Sequence, residues 1–273
     1  METTVRTQWH PLLQDPTRIR SSKPRQSGKT MMMDKGLGLR AFEDILEISS
    51  AYIDMIKLGF GTSPLYPVQL LSRKLELARQ SGVMIYPGGT FLEIAVAKRE
   101  LDAYFDIVQR IGFSGIEVSD GVIEMNRPLR NTLIKRGREL GLRVVTEYGK
   151  KAWGSAIEVD ALLDTVHQDI EHGAELVIVE ARESGKGVGL FDERGECRGD
   201  TLTEIADRLH NPFRLMWEAP LKSQQVRLVQ TLGPEVNLGN IGSDEVFSLE
   251  CLRRGLRGDT FCHTEPHVQH RLD

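Results

Sequence analysis

A (β/α)8 barrel is the fold class this sequence predicts, on three observations. Eight short apolar runs end at polar or glycine positions. Segments with helical apolar spacing lie between them, so that the runs recur about every 20 to 40 residues, the length of one strand, one helix and two loops. Glycines stand where those helices should stop ahead of the next run, at Gly82, Gly112, Gly141 and Gly173. Parallel strands need such crossovers and are covered on both faces, which favours βαβ units over a sandwich. No Rossmann or Walker fingerprint follows the first run, which weakens a nucleotide-binding reading.

Taken in order, the runs are MMMD ending at Asp34, IDMIK at Lys57, VMIYP before Gly88, GIEVSD at Asp120, VVTE at Glu147, LVIVE at Glu180, LMWE at Glu218 and VNLGN at Asn240. Helix faces step by three and four through Val68, Leu71, Leu75 and Ala78, and through Leu101, Tyr104, Phe105, Val108 and Ile111. Further stripes run through Leu162, Leu163, Val166 and Ile170, and through Val246, Leu249 and Leu252. Residues 1–28 carry Pro11, Pro16 and Pro24 among scattered basic residues without periodicity, and read as a flexible arm. Its Arg18, Arg20, Lys23 and Arg25 are expected to be solvated. The barrel should occupy residues 29–262, with a loose polar tail over 263–273.

The chain has 273 residues, 40% hydrophobic and 27% charged, which suits one barrel of the usual size. A net charge of -4 provides no basic field for nucleic acid or an anionic membrane, so any anionic substrate must meet local charges. Cys197, Cys251 and Cys262 lack zinc or redox spacing and read as ordinary cytosolic thiols. No run reaches the roughly 18 apolar residues of a membrane span, and a cytoplasmic protein is expected.

Strand ends converge on one mouth in such a barrel, so polar residues far apart in sequence should meet there. Glu147, Glu180 and Glu218 close three successive strands. Three carboxylates in a semi-enclosed mouth repel unless protons or a cation compensate, and hard oxygen ligands suit Mg2+. Alternatively, each pairs with a basic neighbour such as Lys150 or Arg182 and merely closes the barrel. Lys57, Lys150, Lys151 and Arg182 share the same opening, a mixture that fits a small substrate bearing carboxylate and phosphate. Turns at Gly59–Ser63, Pro87–Thr90 and Asn237–Ile241 could bring backbone amides to an anion. The segment GLRGDTF should lie at the opposite face, with Arg257 and Asp259 in a structural ion pair or an inter-subunit contact. His167 and His172 read as surface or packing residues.

The strings KLGFGTS, YPGGTFLE, GFSGIEVSDG, EYGKK, EARESGKGVGLFD, EAPLKSQQ, VNLGNI and LRRGLRGDTF resemble the phosphosulfolactate synthase family of coenzyme M biosynthesis, which includes plant heat-stress relatives. That resemblance implies a lyase that adds sulfite to phosphoenolpyruvate with Mg2+, giving (2R)-phospho-3-sulfolactate. On the matched positions, Lys151 or Lys150 would protonate C2 and Glu147, Glu180 and Glu218 would hold Mg2+. Lys57, Arg182, Gly88, Gly89, Thr90, Gly239 and Asn240 would hold phosphate and sulfite. Two other functions remain open: a non-catalytic stress or scaffold barrel, and a Schiff-base aldolase using Lys57 or Lys151. Homo-oligomers are common among such barrels, and no feature of the sequence sets the number of copies.

Overall fold

The eight apolar runs become eight parallel strands in the computed structural model, which describes residues 9–261. They are β1 Thr30–Asp34, β2 Met55–Leu58, β3 Met84–Pro87, β4 Gly115–Val118, β5 Arg143–Tyr148, β6 Leu176–Val179, β7 Leu215–Glu218 and β8 Leu238–Ile241. The short helix α1 Pro11–Gln14 precedes them. The crossover helices are α2 Leu39–Ser49, α3 Val68–Gln80, α4 Gly89–Lys98, α5 Leu101–Ile111, α6 Arg127–Glu139, α7 Val159–Glu171, α8 Gly199–Arg208, α9 Lys222–Leu232 and α10 Val246–Arg253.

Each strand pairs with its sequence neighbour except β3 with β4, and β1 also pairs with β8, which rolls the sheet into a nearly closed barrel. Ser114 bridges the seam between β3 and β4, where its hydroxyl accepts from Ile85 N–H at 2.8 Å. The helices stop as the glycines require: Gly112 after α5 has φ 92°, and Gly141 just after α6 has φ 77°. Helix α6 starts where Asn126 Oδ1 accepts from Leu129 N–H at 3.0 Å.

Period-2 alternation divides every strand between two cores. Inward-facing Met31, Met55 and Met84 stand in register across β1, β2 and β3, and with Val145, Leu176, Ile178 and Met216 they plug the barrel. Outward-facing residues such as Ile56, Ile116 and Val177 pack against the helix stripes, including Leu71, Leu75, Phe105, Val108 and Leu162. Val68 leaves its predicted stripe and is exposed, because it opens α3 at the rim.

Arg18 is exposed as expected, but the other three basic residues expected in solvent are tied to the N-terminal end of the barrel. Arg25 is buried, pairs with Asp54 at 3.2 Å and donates to Ala51 O. Lys23 Nζ donates to Ile53 O at 2.7 Å and Ser50 O at 3.0 Å. Arg20 reaches Glu235 at 3.1 Å and Glu250 at 3.0 Å. The carbonyls and acids just ahead of the strands need donors, and these residues supply them. Arg257 and Asp259 do form an ion pair, at 3.5 Å, with Lys222 joining Asp259 at 3.0 Å. The segment folds back along α10, so this cluster lies on the outer wall. His167 is exposed and His172 is part-buried. Cys262 and residues 263–273 lie outside the described residues, within which no helix is long and apolar enough to cross a membrane.

Candidate active site

Above the methionine plug the inward-facing side chains turn from apolar to ionic. Glu147 and Glu218 sit inside the ends of β5 and β7, and Glu180 directly follows β6. All three are buried, and one carboxylate oxygen from each lies within 4.8 Å of the others. Lys57, on β2 across the barrel, places Nζ 3.0 Å from Glu117, 2.9 Å from Glu147 and 3.3 Å from Glu218. Lys151 reaches down from the loop after β5, with Nζ 3.0 Å from Glu147 and 3.3 Å from Glu180.

Four carboxylates against two ammonium groups leave a formal charge of -2 in a site shielded from water. The titration behaviour follows from that imbalance. Burial is the largest influence on Glu117 and outweighs Lys57, pushing its carboxyl up to about 7. Burial, then repulsion from Glu147 and Glu218, lifts Glu180 well above the usual carboxylate range. Burial also opposes ionisation of Glu147, but Lys57 and Lys151 together prevail and hold it below that range. The lysine charges are opposed by burial too, yet the acids raise both ammonium groups above their ordinary value.

Proximity does not satisfy every oxygen. Glu117 Oε2, Glu147 Oε1 and Glu180 Oε2 are buried and lie within ion-pair distance of a lysine, but outside hydrogen-bonding geometry. Coulomb attraction tolerates such angles and hydrogen bonding does not, so these acceptors keep unused lone pairs. Two of them belong to the converging trio. Hard, anionic, incompletely satisfied oxygens are the donors a divalent cation takes, and Glu147, Glu180 and Glu218 are the residues that could hold one.

The two adjacent lysines diverge. Lys151 enters the barrel mouth, where Nζ also lies 3.4 Å from Thr90 Oγ1. Lys150 turns outward, donates to Asp120 O at 2.7 Å and pairs with Asp120 Oδ2 at 3.2 Å. It faces a lateral cavity of about 380 Å³ lined also by Arg127, Arg130 and Tyr148. Arg182, exposed and at φ 59°, donates to Lys151 O at 3.2 Å and so stands at the rim.

Other predicted anion contacts are otherwise engaged. Gly88 N–H donates to Leu58 O at 2.9 Å and Gly89 N–H to Glu117 Oε1 at 2.8 Å, so neither amide is spare. Glycine is required at Gly89 for another reason, since a Cβ there would sit 2.7 Å from Glu117 Oε1. Lys57 is saturated by carboxylates and buried beneath the mouth. Asn240, at φ 55° beside the irregular β1–β8 register, is buried with Oδ1 unpartnered.

Sequence reasoning missed Glu117 and Tyr86. Tyr86 faces inward opposite Lys57, fully buried, with a hydroxyl that has no hydrogen-bond partner. The signal for Glu117 was the lone acid in IEV, between two β-branched residues of a strand covered on both faces.

Together the fold and this centre define a barrel enzyme with a buried carboxylate–lysine cluster at its C-terminal mouth. The family described as (2R)-phospho-3-sulfolactate synthase (ComA) matches residues 18–259, and the chain belongs to that family. A phosphosulfolactate synthase from Methanothermobacter thermautotrophicus (strain Delta H) is 43% identical over 243 residues, spanning 88% of this chain and 94% of that protein. Protein HEAT-STRESS-ASSOCIATED 32 of Arabidopsis thaliana is 22% identical over 260 residues, spanning 86% and 88%. Among solved structures, 3-hexulose-6-phosphate synthase from Salmonella typhimurium superposes with a TM-score of 0.51 at 16% identity, over 81% of this chain and 96% of that one. That last likeness is one of fold alone.

Proposed function

We propose that this enzyme adds sulfite to phosphoenolpyruvate with Mg2+ as cofactor, giving (2R)-phospho-3-sulfolactate. The observation that carries the reading is the convergence of Glu147, Glu180 and Glu218 within 4.8 Å beside Lys151, in a chain whose relatives include named phosphosulfolactate synthases. In the reaction the sulfur lone pair of sulfite forms the C–S bond at C3. The C2–C3 π pair moves through C2 into the carboxylate as an aci-carboxylate, one proton is then delivered to C2, and the phosphate ester stays intact.

Bound Mg2+ would supply stabilisation of the negative charge that builds on the carboxylate. Lys151 is the proton donor in this reading, because its neighbours keep it charged and it enters the mouth. Lys150 is turned toward Asp120, so the choice between the two falls on Lys151. Arg182 and Thr90 hold the anionic groups at the mouth, while Lys57 anchors the acids from below. Gly239 and Asn240, expected in an anion-binding turn, lie buried within β8, with Gly239 against Met31 and Met216 of the plug. A Schiff-base role for Lys57 is disfavoured, since three carboxylates keep its amine protonated and non-nucleophilic.

The direct test incubates pure protein with phosphoenolpyruvate, sulfite and Mg2+ and looks for the phosphosulfolactate mass. Product that disappears with EDTA and without sulfite is the expected result. No product from folded protein would move the reading to a non-catalytic barrel of the same family. Covalent labelling by borohydride with a keto acid would move it to an aldolase.

A further inference from the structure

One carboxylate of the centre stands outside the converging trio. Glu117 faces inward from β4, fully buried, and divides its two oxygens between two elements. Oε1 accepts from the Gly89 N–H at 2.8 Å, at the first residue of α4. Oε2 lies 3.0 Å from Lys57 Nζ. Lys57 in turn reaches Glu147 Oε2 at 2.9 Å and Glu218 Oε1 at 3.3 Å.

Lys57 donates hydrogen bonds to Glu147 and Glu218, and the ion pair with Glu117 is the third contact that fixes the ammonium on its flexible four-carbon stem. The consequence passes upward. With Glu147 Oε2 committed to Lys57, Oε1 is the oxygen directed to Lys151 at 3.0 Å. With Glu218 Oε1 committed likewise, Oε2 accepts from the Ala181 N–H at 3.0 Å. On the other arm, Gly89 is followed by Thr90, whose hydroxyl lies 3.4 Å from Lys151 Nζ.

We propose that Glu117 is a positioning residue of the active centre, acting through Lys57 to orient Glu147 and Glu218 and through the Gly89 amide to set Thr90 beside Lys151. This deepens the synthase reading and rests on it. The hydrogen bond from Gly89 and the ion pair to Lys57 are the side-chain contacts through which Glu117 reaches the mouth.

The test is a double-substitution cycle with two readouts. Glu117→Gln keeps the length of the side chain and an oxygen for the Gly89 amide, but removes the charge that anchors Lys57. It is expected to lower kcat for product formation by about 10- to 100-fold and to weaken Mn2+ binding, measured calorimetrically without substrates, in the same range. KM for phosphoenolpyruvate should change by less than about threefold, since the rim groups are untouched. Lys57→Met should be at least as damaging, and Glu117→Gln combined with Lys57→Met no worse than Lys57→Met alone. Losses that multiply would mean that Glu117 does not act through Lys57, and would overturn the proposal. If Lys57→Met does not fold, the single variant still decides: folded Glu117→Gln with wild-type kcat and wild-type Mn2+ affinity overturns it. Wild-type protein that makes no product would instead defeat the synthase reading, while the Mn2+ comparison would still test the positioning role.

Discussion

The two ends of the barrel both bury charge, but they do so with opposite balance. At the N-terminal end, Arg20, Lys23 and Arg25 meet Glu235, Glu250, Asp54 and a set of backbone carbonyls. Arg253, fully buried there, donates to Val236 O at 2.6 Å and Lys29 O at 3.2 Å. At the mouth, carboxylates outnumber ammonium groups and three of their oxygens lack a hydrogen bond. The first arrangement holds the chain in place. The second carries surplus negative charge that the folded chain alone does not neutralise, as expected where a cationic ligand or protons complete the site.

The largest expected effect sharpens the distinction within the mouth itself. Lys151→Ala should lower kcat by about 10²- to 10⁴-fold, the range for a lost general acid, while Lys150→Ala stays within several-fold of wild type. Steady-state product formation checks both, and equal effects would erase the division between the two lysines. Next in size, Asp54→Ala should destabilise the protein by about 3–5 kcal/mol in denaturant unfolding, because it leaves Arg25 buried and unpaired. Glu180→Gln should do the reverse. Removing one of the crowded acids is expected to leave the melting temperature of metal-free protein unchanged or raised, while cation binding is lost.

The smallest effect is on pH dependence. The folded-state pKa values of Glu117 and Glu180 are raised, so the unfolded chain releases those protons first and stability falls as pH rises above about 4.5. For Glu117 the loss is complete near pH 7. Glu147 is depressed and acts oppositely, its contribution being lost only as pH falls below the usual carboxylate range. The melting temperature of metal-free wild type should therefore decline between pH 5 and pH 7.5 more steeply than that of Glu117→Gln, and excess Mg2+ should flatten the difference.

Much of the fold was legible because strand ends, helix stripes and stop glycines are local signals. Asp34, Glu147, Glu218 and Asn240 lie at or within one residue of the strand ends that the apolar runs indicated. The glutamate trio was readable for the same reason, since neighbouring strands bring their ends together. Orientation was not. Lys150 and Lys151 are chemically alike and adjacent, and only the path of the loop after β5 separates them. Glu117 hid inside a strand, where an acid one residue short of the end of β4 and three short of the run end expected at Asp120 gives no hint of a partner on β2. Arg20 and Arg25 looked solvated because their partners, Asp54, Glu235 and Glu250, are distant in sequence.

Whether the mouth is built around a divalent cation can be measured directly by titrating Mg2+ into metal-free protein in a calorimeter, in two buffers of different ionisation enthalpy. One site per chain is expected, with protons released on binding and with the heat lost in Glu180→Gln and Glu218→Gln. A wild-type protein that takes up no Mg2+, or one whose uptake survives both substitutions, would contradict the account.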